Sequence, residues 1–439
     1  MSRMHHVIHN VQFFDGYGLR LGNVEVQDGR IAAVDSDRQT GNDIDGTGKF
    51  LFPGLVDMHT HITPASARHY LASGVTTVRN TAGNFEIIKA MDRIAPAVHA
   101  TYRMIDGDPG LWGPTSYGNI STNDAEEARR GVDELHAQGA GFVKVYGNIQ
   151  EDVLAAVVEQ AHGYRLPVAA DFIHSKMIDG VKAARVGIDW LEHASGILQS
   201  LYPAFHSQLS DEEFEAVAAE PLDEERLDEV LGMLLDADVK LVPTLTLYRH
   251  LAEGKQFAAS AIAASKQLSM LEMDDNFEIK AQFESIAPHV TKEMQRREKW
   301  AYEKVGVIAQ RYMDIGGEIY IGTDAPAGIW NYPGISLIEE MLEFEALGLP
   351  RNDVIRKATE EACASIGYEN KGRIARGYDA DLVLLDKNPL DDLTHLLSVH
   401  TVIRAGEIHR LEDIYSHTID RDALMQLFEK VAAKYGGEV

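Results

Sequence analysis

A single cysteine, Cys363, stands in the 439 residues. That excludes an intramolecular disulfide framework and fits a reducing compartment. No apolar run reaches about 18 residues, so no membrane span is expected. The opening Met1-Ser2-Arg3-Met4-His5-His6 carries no apolar signal segment. Basic residues are also scarce, 41 Lys and Arg against 68 Asp and Glu, for a formal net charge of −27. Such a surface repels phosphate backbones and anionic lipid, which argues against nucleic-acid and membrane partners. Solubility is the plainest reading of the acid excess. No internal repeat or low-complexity tract is evident. The remaining composition, 45% hydrophobic and 25% charged, is that of an ordinary globular chain. A cytoplasmic protein acting on a small molecule is expected, and a homo-oligomer is compatible with all of this.

Texture along the chain divides it. Residues 5–50 read as short strands cut by the turns Asp15-Gly16 and Asp28-Gly29. From residue 55, apolar runs alternate with helical stretches such as 125–138 and 151–162, as a parallel sheet requires. Eight runs are counted: 55–61, 75–80, 101–105, 142–146, 167–174, 188–193, 240–245 and 318–323. Eight βα units fit an α/β fold of the (β/α)8 TIM-barrel type. Strand texture returns after residue 370. The simplest assembly joins it to the N-terminal strands in a small β-sandwich made from both chain ends. The expected division is 1–54 and 371–411 for the sandwich, 55–370 for the barrel and 412–439 for a helical extension, with an amphipathic helix at 419–435. The stretches 199–236 and 248–298 exceed what a barrel connection needs and are expected to overhang the mouth or thicken the outer ring.

Chemistry-bearing residues gather at the ends of these runs. His59 and His61, two apart on a strand, share one face. At the strand's C-terminal end that face points into the barrel mouth, where barrel active sites lie. Lys144 is centred in the apolar run Phe142-Val143-Lys144-Val145-Tyr146. Burying its charge costs several kcal/mol, so it either pairs with an acid or loses its proton and reacts. A neutral amine can take up CO2 as a carbamate, whose two oxygens could bridge two metals. His174 and His193 close successive runs, and Asp324 follows the eighth. An aspartate there is commonly a helix N-cap, yet barrel closure sets it beside His59 and His61. Together these residues supply nitrogen and oxygen donors suited to zinc or a similar divalent ion.

At this point the chain resembles the amidohydrolase superfamily of metal-dependent hydrolases. Phe52-Pro53-Gly54-Leu55-Val56-Asp57-Met58-His59-Thr60-His61 matches its strand-one signature. Leu71-Ala72-Ser73-Gly74-Val75-Thr76-Thr77-Val78-Arg79 and Phe142-Val143-Lys144-Val145-Tyr146 look like the branch of imidazolonepropionases and Xaa-Pro dipeptidases. Gly372-Arg373-Ile374-Ala375-Arg376-Gly377-Tyr378-Asp379-Ala380-Asp381-Leu382-Val383 resembles its return to the sandwich. The resemblance runs to about residue 410. It implies His59, His61 and Asp324 on one metal, His174 and His193 on the other, and Lys144 bridging them as a carbamate. Three departures stand out. The strand-five histidine falls on Asp171 when counted from Leu166-Pro167-Val168 and on His174 when counted back from Gly180; His174 is preferred because imidazole is the family's ligand type. Arg79-Asn80 stands where the family often shows Arg-Asp. Only 12 residues separate His61 from Gly74, a short loop that bears on the substrate rather than on the chemistry.

The expected function is a binuclear hydrolase with two divalent ions, zinc in the first place, cleaving a C–N bond in an amide, cyclic amide or dipeptide. Metal-activated hydroxide attacks, and Asp324 takes its proton and delivers it to the leaving nitrogen. Lactone, ester or phosphotriester hydrolysis is the alternative on the same site, since fold does not separate them. A non-catalytic scaffold relative comes last, because all six ligand positions can be filled. Tyr146 shares the inward parity of Lys144, and Tyr248 matches a position that reaches substrate in the Xaa-Pro branch; plain packing is an equal reading for both. For His69, Arg249 and His250 a pocket-facing place is one reading and a solvated surface role the preferred one; His5, His6 and His9 read as surface residues.

Overall fold

The computed structural model describes residues 5–111, 118–206, 208–273, 277–417 and 419–435. Residues 1–4, 112–117, 207, 274–276, 418 and 436–439, which fall in stretches read above, lie outside the described residues.

The N-terminal strands are β1 (His5–Phe14), β2 (Leu19–Gln27), β3 (Arg30–Val34), β4 (Ile44–Asp45) and β5 (Phe50–Pro53). The β1–β2 hairpin turns at Asp15, whose carboxylate accepts from the amides of Tyr17 and Gly18, both at 3.0 Å. This side-chain closure of a turn is what Asp does best next to glycine.

The parallel part follows, with β6 (Leu55–Thr60), β7 (Val75–Asn80), β8 (Ala97–Ala100), β9 (Ile105–Asp106), β10 (Ile120–Ser121), β11 (Val143–Tyr146), β12 (Val168–Asp171), β13 (Trp190–Glu192) and β14 (Lys240–Val242). β6, β7 and β8 pair in that order, and β10-β9-β11-β12-β13-β14 form a second sheet. The amide of Gly141, just before β11, donates to Ala100 O at 2.8 Å and ties the two sheets together. Segment 318–325 takes the eighth place without a regular strand. Leu241 N donates to Glu318 O and Tyr320 N to Leu241 O, at 3.0 and 2.9 Å. On its other side Met58 N donates to Ile321 O at 3.0 Å and Asp324 N to His59 O at 2.7 Å. The eighth segment thus touches the first. Val56, Met58, Phe142, Ala169, Trp190, Val242 and Tyr320 form one buried cluster.

The expected runs need adjustment at three places. The third strand lies at Ala97–Ala100 rather than 101–105. The fifth ends at Asp171 because the next amide, Phe172 N, leaves the ladder for Ser195 Oγ at 2.7 Å. The eighth is held by the scattered bonds just described. Helices Ala125–Ala137 and Glu151–Gly163 form where the sequence places them.

The chain then returns as β15 (Leu382–Leu385), β16 (Val399–Arg404) and β17 (Glu407–Arg410). They join the N-terminal strands in one sheet, ordered β17-β16-β15-β5-β1-β2-β3, with β4 beside β1. β5 is the seam, parallel to β1 and antiparallel to β15. Ile31 N donates to Tyr378 O at 2.8 Å, so the far end of the sheet meets the segment leading into β15. A shared core of Ile8, Val11, Val24, Val26, Leu51, Leu382 and Ile403 fills the inside. The last helix, Arg421–Tyr435, packs Leu424, Phe428 and Val431 against Ala65 and Ile87. Among the described residues no helix is long and apolar enough to cross a membrane.

Candidate metal centre

β6 delivers both histidines of its His-x-His pair to one point. A register shift between Asp57 and Thr60 re-aims the strand end, the kind of local kink that bulges supply beside functional sites. His59 Nε2 lies 3.1 Å and His61 Nε2 2.9 Å from the same oxygen, Asp324 Oδ1. Ligand atoms of these three residues all fall within 4.8 Å of one another. Asp324 holds φ +65°, and its backbone is pinned by the bond to His59 O. Burial pushes its carboxyl up, but His59 and His61 outweigh that and hold it well below the usual carboxylate range.

Beneath them Asp57 laces the first and eighth segments. Its Oδ1 accepts from His59 N and Thr323 N at 3.2 and 3.1 Å, and its Oδ2 from the Thr323 hydroxyl at 2.7 Å. Complete burial raises this carboxyl to about 7.

Glu192 orients His59. It accepts from His59 Nδ1 at 2.7 Å through Oε2 and from Arg79 Nη1 at 2.7 Å through Oε1. Burial favours its neutral form, but Arg79, His59 and Lys144 together keep the carboxyl low. The Arg79 guanidinium is fixed in turn over the rings of Phe142 and Trp190, 4.2 and 4.5 Å from their centroids. An imidazole that donates from Nδ1 to a carboxylate presents a lone pair at Nε2, as metal-ligating histidines do.

His193 follows β13 at φ +60°, with its ring 4.6 Å from that of His59. Its Nδ1 meets Thr244 Oγ1 at 2.7 Å, and its Nε2 faces Asp171 Oδ2 at 3.3 Å. Tyr248, buried, donates its hydroxyl to His193 O at 3.0 Å. Burial lowers the His193 pKa, but Asp171 overcomes this and the net shift is upward.

Lys144 is buried in β11, paired in register with Ala169. Among the described residues it forms no ion pair, yet its charge acts on His59, Asp171, Glu192 and His193. Tyr146, two residues further along the strand, is paired with Asp171 and packs with Ala82 and Met104. His174 lies three residues beyond the end of β12 and is half-buried. Its pKa is lowered by burial, with Asp171 raising it and His193 lowering it. Of the expected site residues, His59, His61 and Asp324 meet at one point, and His193 and Lys144 stand beside them.

Three residues escaped the sequence reading, Glu192, Thr244 and Asp57. Glu192 adjoins His193, and a glutamate inside an apolar strand was the available signal. Two groups read as surface belong inside. Arg249 and His250 are buried, both bonded to Glu339, at 2.7 and 2.9 Å. His69 and His6 are buried as well.

The donor set fits a divalent cation. His59 Nε2 and Asp324 Oδ1 are buried and face one another, and among the described residues neither has a hydrogen-bond partner. Two imidazole nitrogens and a carboxylate oxygen are the donors that zinc and its neighbours take.

Known proteins bear on this geometry. A 5'-deoxyadenosine deaminase of Methanothermobacter thermautotrophicus is 29% identical over 30% of this chain, a match that spans only 39% of that relative. A crystal structure of a candidate prolidase from Bifidobacterium longum is similar over 97% of this chain and 98% of its own, with TM-score 0.69 and 22% identity. A Xaa-Pro dipeptidase solved with methionine in its active site is similar over 92% of this chain and 100% of its own, with TM-score 0.64 and 20% identity. The profile of the Amidohydrolase family matches residues 50–409. That match takes in β6 and the two histidines at its end, every parallel strand and the return into the sheet, so the chain belongs to the amidohydrolase family.

Proposed function

We propose that the chain is a binuclear metal-dependent hydrolase of an amide, cyclic amide or dipeptide bond in a small substrate. Its parallel strands form a (β/α)8 barrel with the site at their C-terminal ends, and the expected sandwich is replaced by a companion β-rich domain in which strands from both chain ends share one sheet. The observation that carries the reading is the meeting of His59, His61 and Asp324, where the buried His59 Nε2 and Asp324 Oδ1 lack hydrogen-bond partners among the described residues. These three would hold one cation, and His193 with Lys144 would contribute to a second. Divalent ions, zinc foremost, would make a water nucleophilic near neutral pH and polarise the scissile carbonyl.

The chain's own residues supply the rest. Lys144 reacts as the neutral amine: its nitrogen bonds to the carbon of CO2 and releases a proton, leaving a carbamate with two oxygens. Its burial in β11, with no ion pair among the described residues, supports this over a structural ammonium. Asp324 takes the proton of the attacking water and passes it to the leaving nitrogen, a shuttle worth about 10²- to 10⁴-fold. Glu192 keeps the His59 lone pair outward. Tyr248 steadies His193 through its carbonyl, and Tyr146 lines the substrate side. A cytoplasmic location suits the lone thiol of Cys363, which is buried.

The test is a substrate panel. Zinc-reconstituted protein, challenged with dipeptides, N-acyl amino acids, cyclic amides, lactones and a phosphotriester, should release amine from a member of the first three classes. Turnover confined to lactones or the phosphotriester would replace C–N cleavage by the alternative chemistry.

A further inference from the structure

Family resemblance implies an imidazole at the end of strand five, and residue counting leaves that position between Asp171 and His174. Pairing of β11 with β12 decides which side chain shares the face of Lys144. Lys144 pairs with Ala169, and Tyr146 with Asp171. Residues in register point to the same side of a sheet, and residues two apart share a face, so Lys144, Tyr146, Ala169 and Asp171 all face inward. Asp171 is the last residue of β12, at the level where the other strands present His59 and His193. It is buried. One oxygen, Oδ1, accepts from Ile173 N at 3.0 Å, and the other, Oδ2, is turned to His193 Nε2 at 3.3 Å. A carboxylate oxygen and an imidazole nitrogen so placed, with a buried lysine acting on both, repeat the arrangement of Asp324 with His59 and His61. His174 comes only after the chain has left the ladder, in a turn closed by Ser175 N donating to Phe172 O at 2.9 Å.

We infer that Asp171, with His193 and Lys144, holds the second cation, and that a carboxylate has taken the place the family gives to imidazole. This rests on the binuclear reading above. The exchange adds a negative charge and a hard oxygen donor to the centre. Oxygen-rich sites suit harder ions such as Mn2+ better than nitrogen-rich ones do.

The test uses the full chain, stripped of metal and reconstituted with zinc and bicarbonate, with zinc per chain read by mass spectrometry. Wild type should bind about two ions, Asp171→Ala about one and His174→Ala about two. Asp171→His should recover the second ion and raise the preference for Zn2+ over Mn2+ relative to wild type. Circular dichroism of the metal-free proteins checks folding. If Asp171→Ala does not fold, Asp171→Asn, which keeps an acceptor for Ile173 N, should show the same loss. Loss of one ion from His174→Ala with both retained in the Asp171 variants would overturn the assignment while leaving the binuclear reading intact. A wild type that binds one ion or none would overturn both.

Discussion

Glu192 stands between a ligand imidazole and a buried guanidinium, and each of its oxygens has a charged or chargeable donor at 2.7 Å. Replacing it by Gln keeps the shape but weakens the hold on His59 Nδ1 and leaves Arg79 without its counter-charge. Losing such an outer partner typically lowers metal affinity about 10- to 100-fold. Glu192→Gln should therefore need a correspondingly higher free zinc concentration for half-occupancy, measured against a competing chelator. Unchanged zinc affinity would reduce the residue to packing. The meeting of His59, His61 and Asp324 was legible because strand spacing puts chemically matched groups at one end of the parallel strands. Glu192 was not. Its partner lies 133 residues earlier in the chain, and only the closing of the strands brings the two together. Arg249 and His250 misled for the same reason, since Glu339, which satisfies them, comes about 90 residues later.

Helix Leu245–Glu253 links the site to the outer layer. It follows Thr244, which holds His193 Nδ1, and its first amides, Leu245 N and Thr246 N, donate to Glu340 at 2.9 and 2.6 Å. Burial raises the Glu340 carboxyl to about 8, opposed by those amides and reinforced by Glu343. The folded chain thus keeps this proton in a range where the unfolded chain, with its ordinary carboxyl near 4.5, has released it. Protons bound preferentially by the folded state make stability fall as pH rises. The contribution is fully present below the unfolded value and is lost progressively toward pH 8. Glu340→Gln cannot ionise, so its melting temperature should gain on that of wild type between about pH 5 and pH 8. A constant difference across that range would show that Glu340 is charged throughout. At this scale alternation of apolar runs and helices was legible, but strand ends were not. β12 stops where a serine hydroxyl takes the next amide, and no local pattern marks such a choice. The eighth segment lacks regular pairing on either side and shows only as an apolar run before Asp324.

Across the whole molecule, a chain with formal charge −27 gathers buried carboxylates, Asp57, Asp171, Glu192 and Asp324, around Lys144, the Arg79 guanidinium and the imidazoles of His59 and His193. Such a concentration of buried acid is costly unless positive charge compensates it, and two divalent cations would do so. The sheet that joins both chain ends has β5 between β1 and β15, with β6 beginning directly after it, so the fold sets the first histidine pair on a strand anchored at its base. That joining was readable as texture at the two ends, whereas the path of the pairing had to come from the structure. Diffraction at the zinc edge, from crystals of the full chain grown with zinc and bicarbonate, tests the account most directly. It predicts two anomalous peaks per chain, one bonded to His59, His61 and Asp324 and one bonded to His193, with a carboxylated Lys144 between them. The account would be contradicted by no peak among His59, His61 and Asp324, or by a bare Lys144 amine with both metals in place.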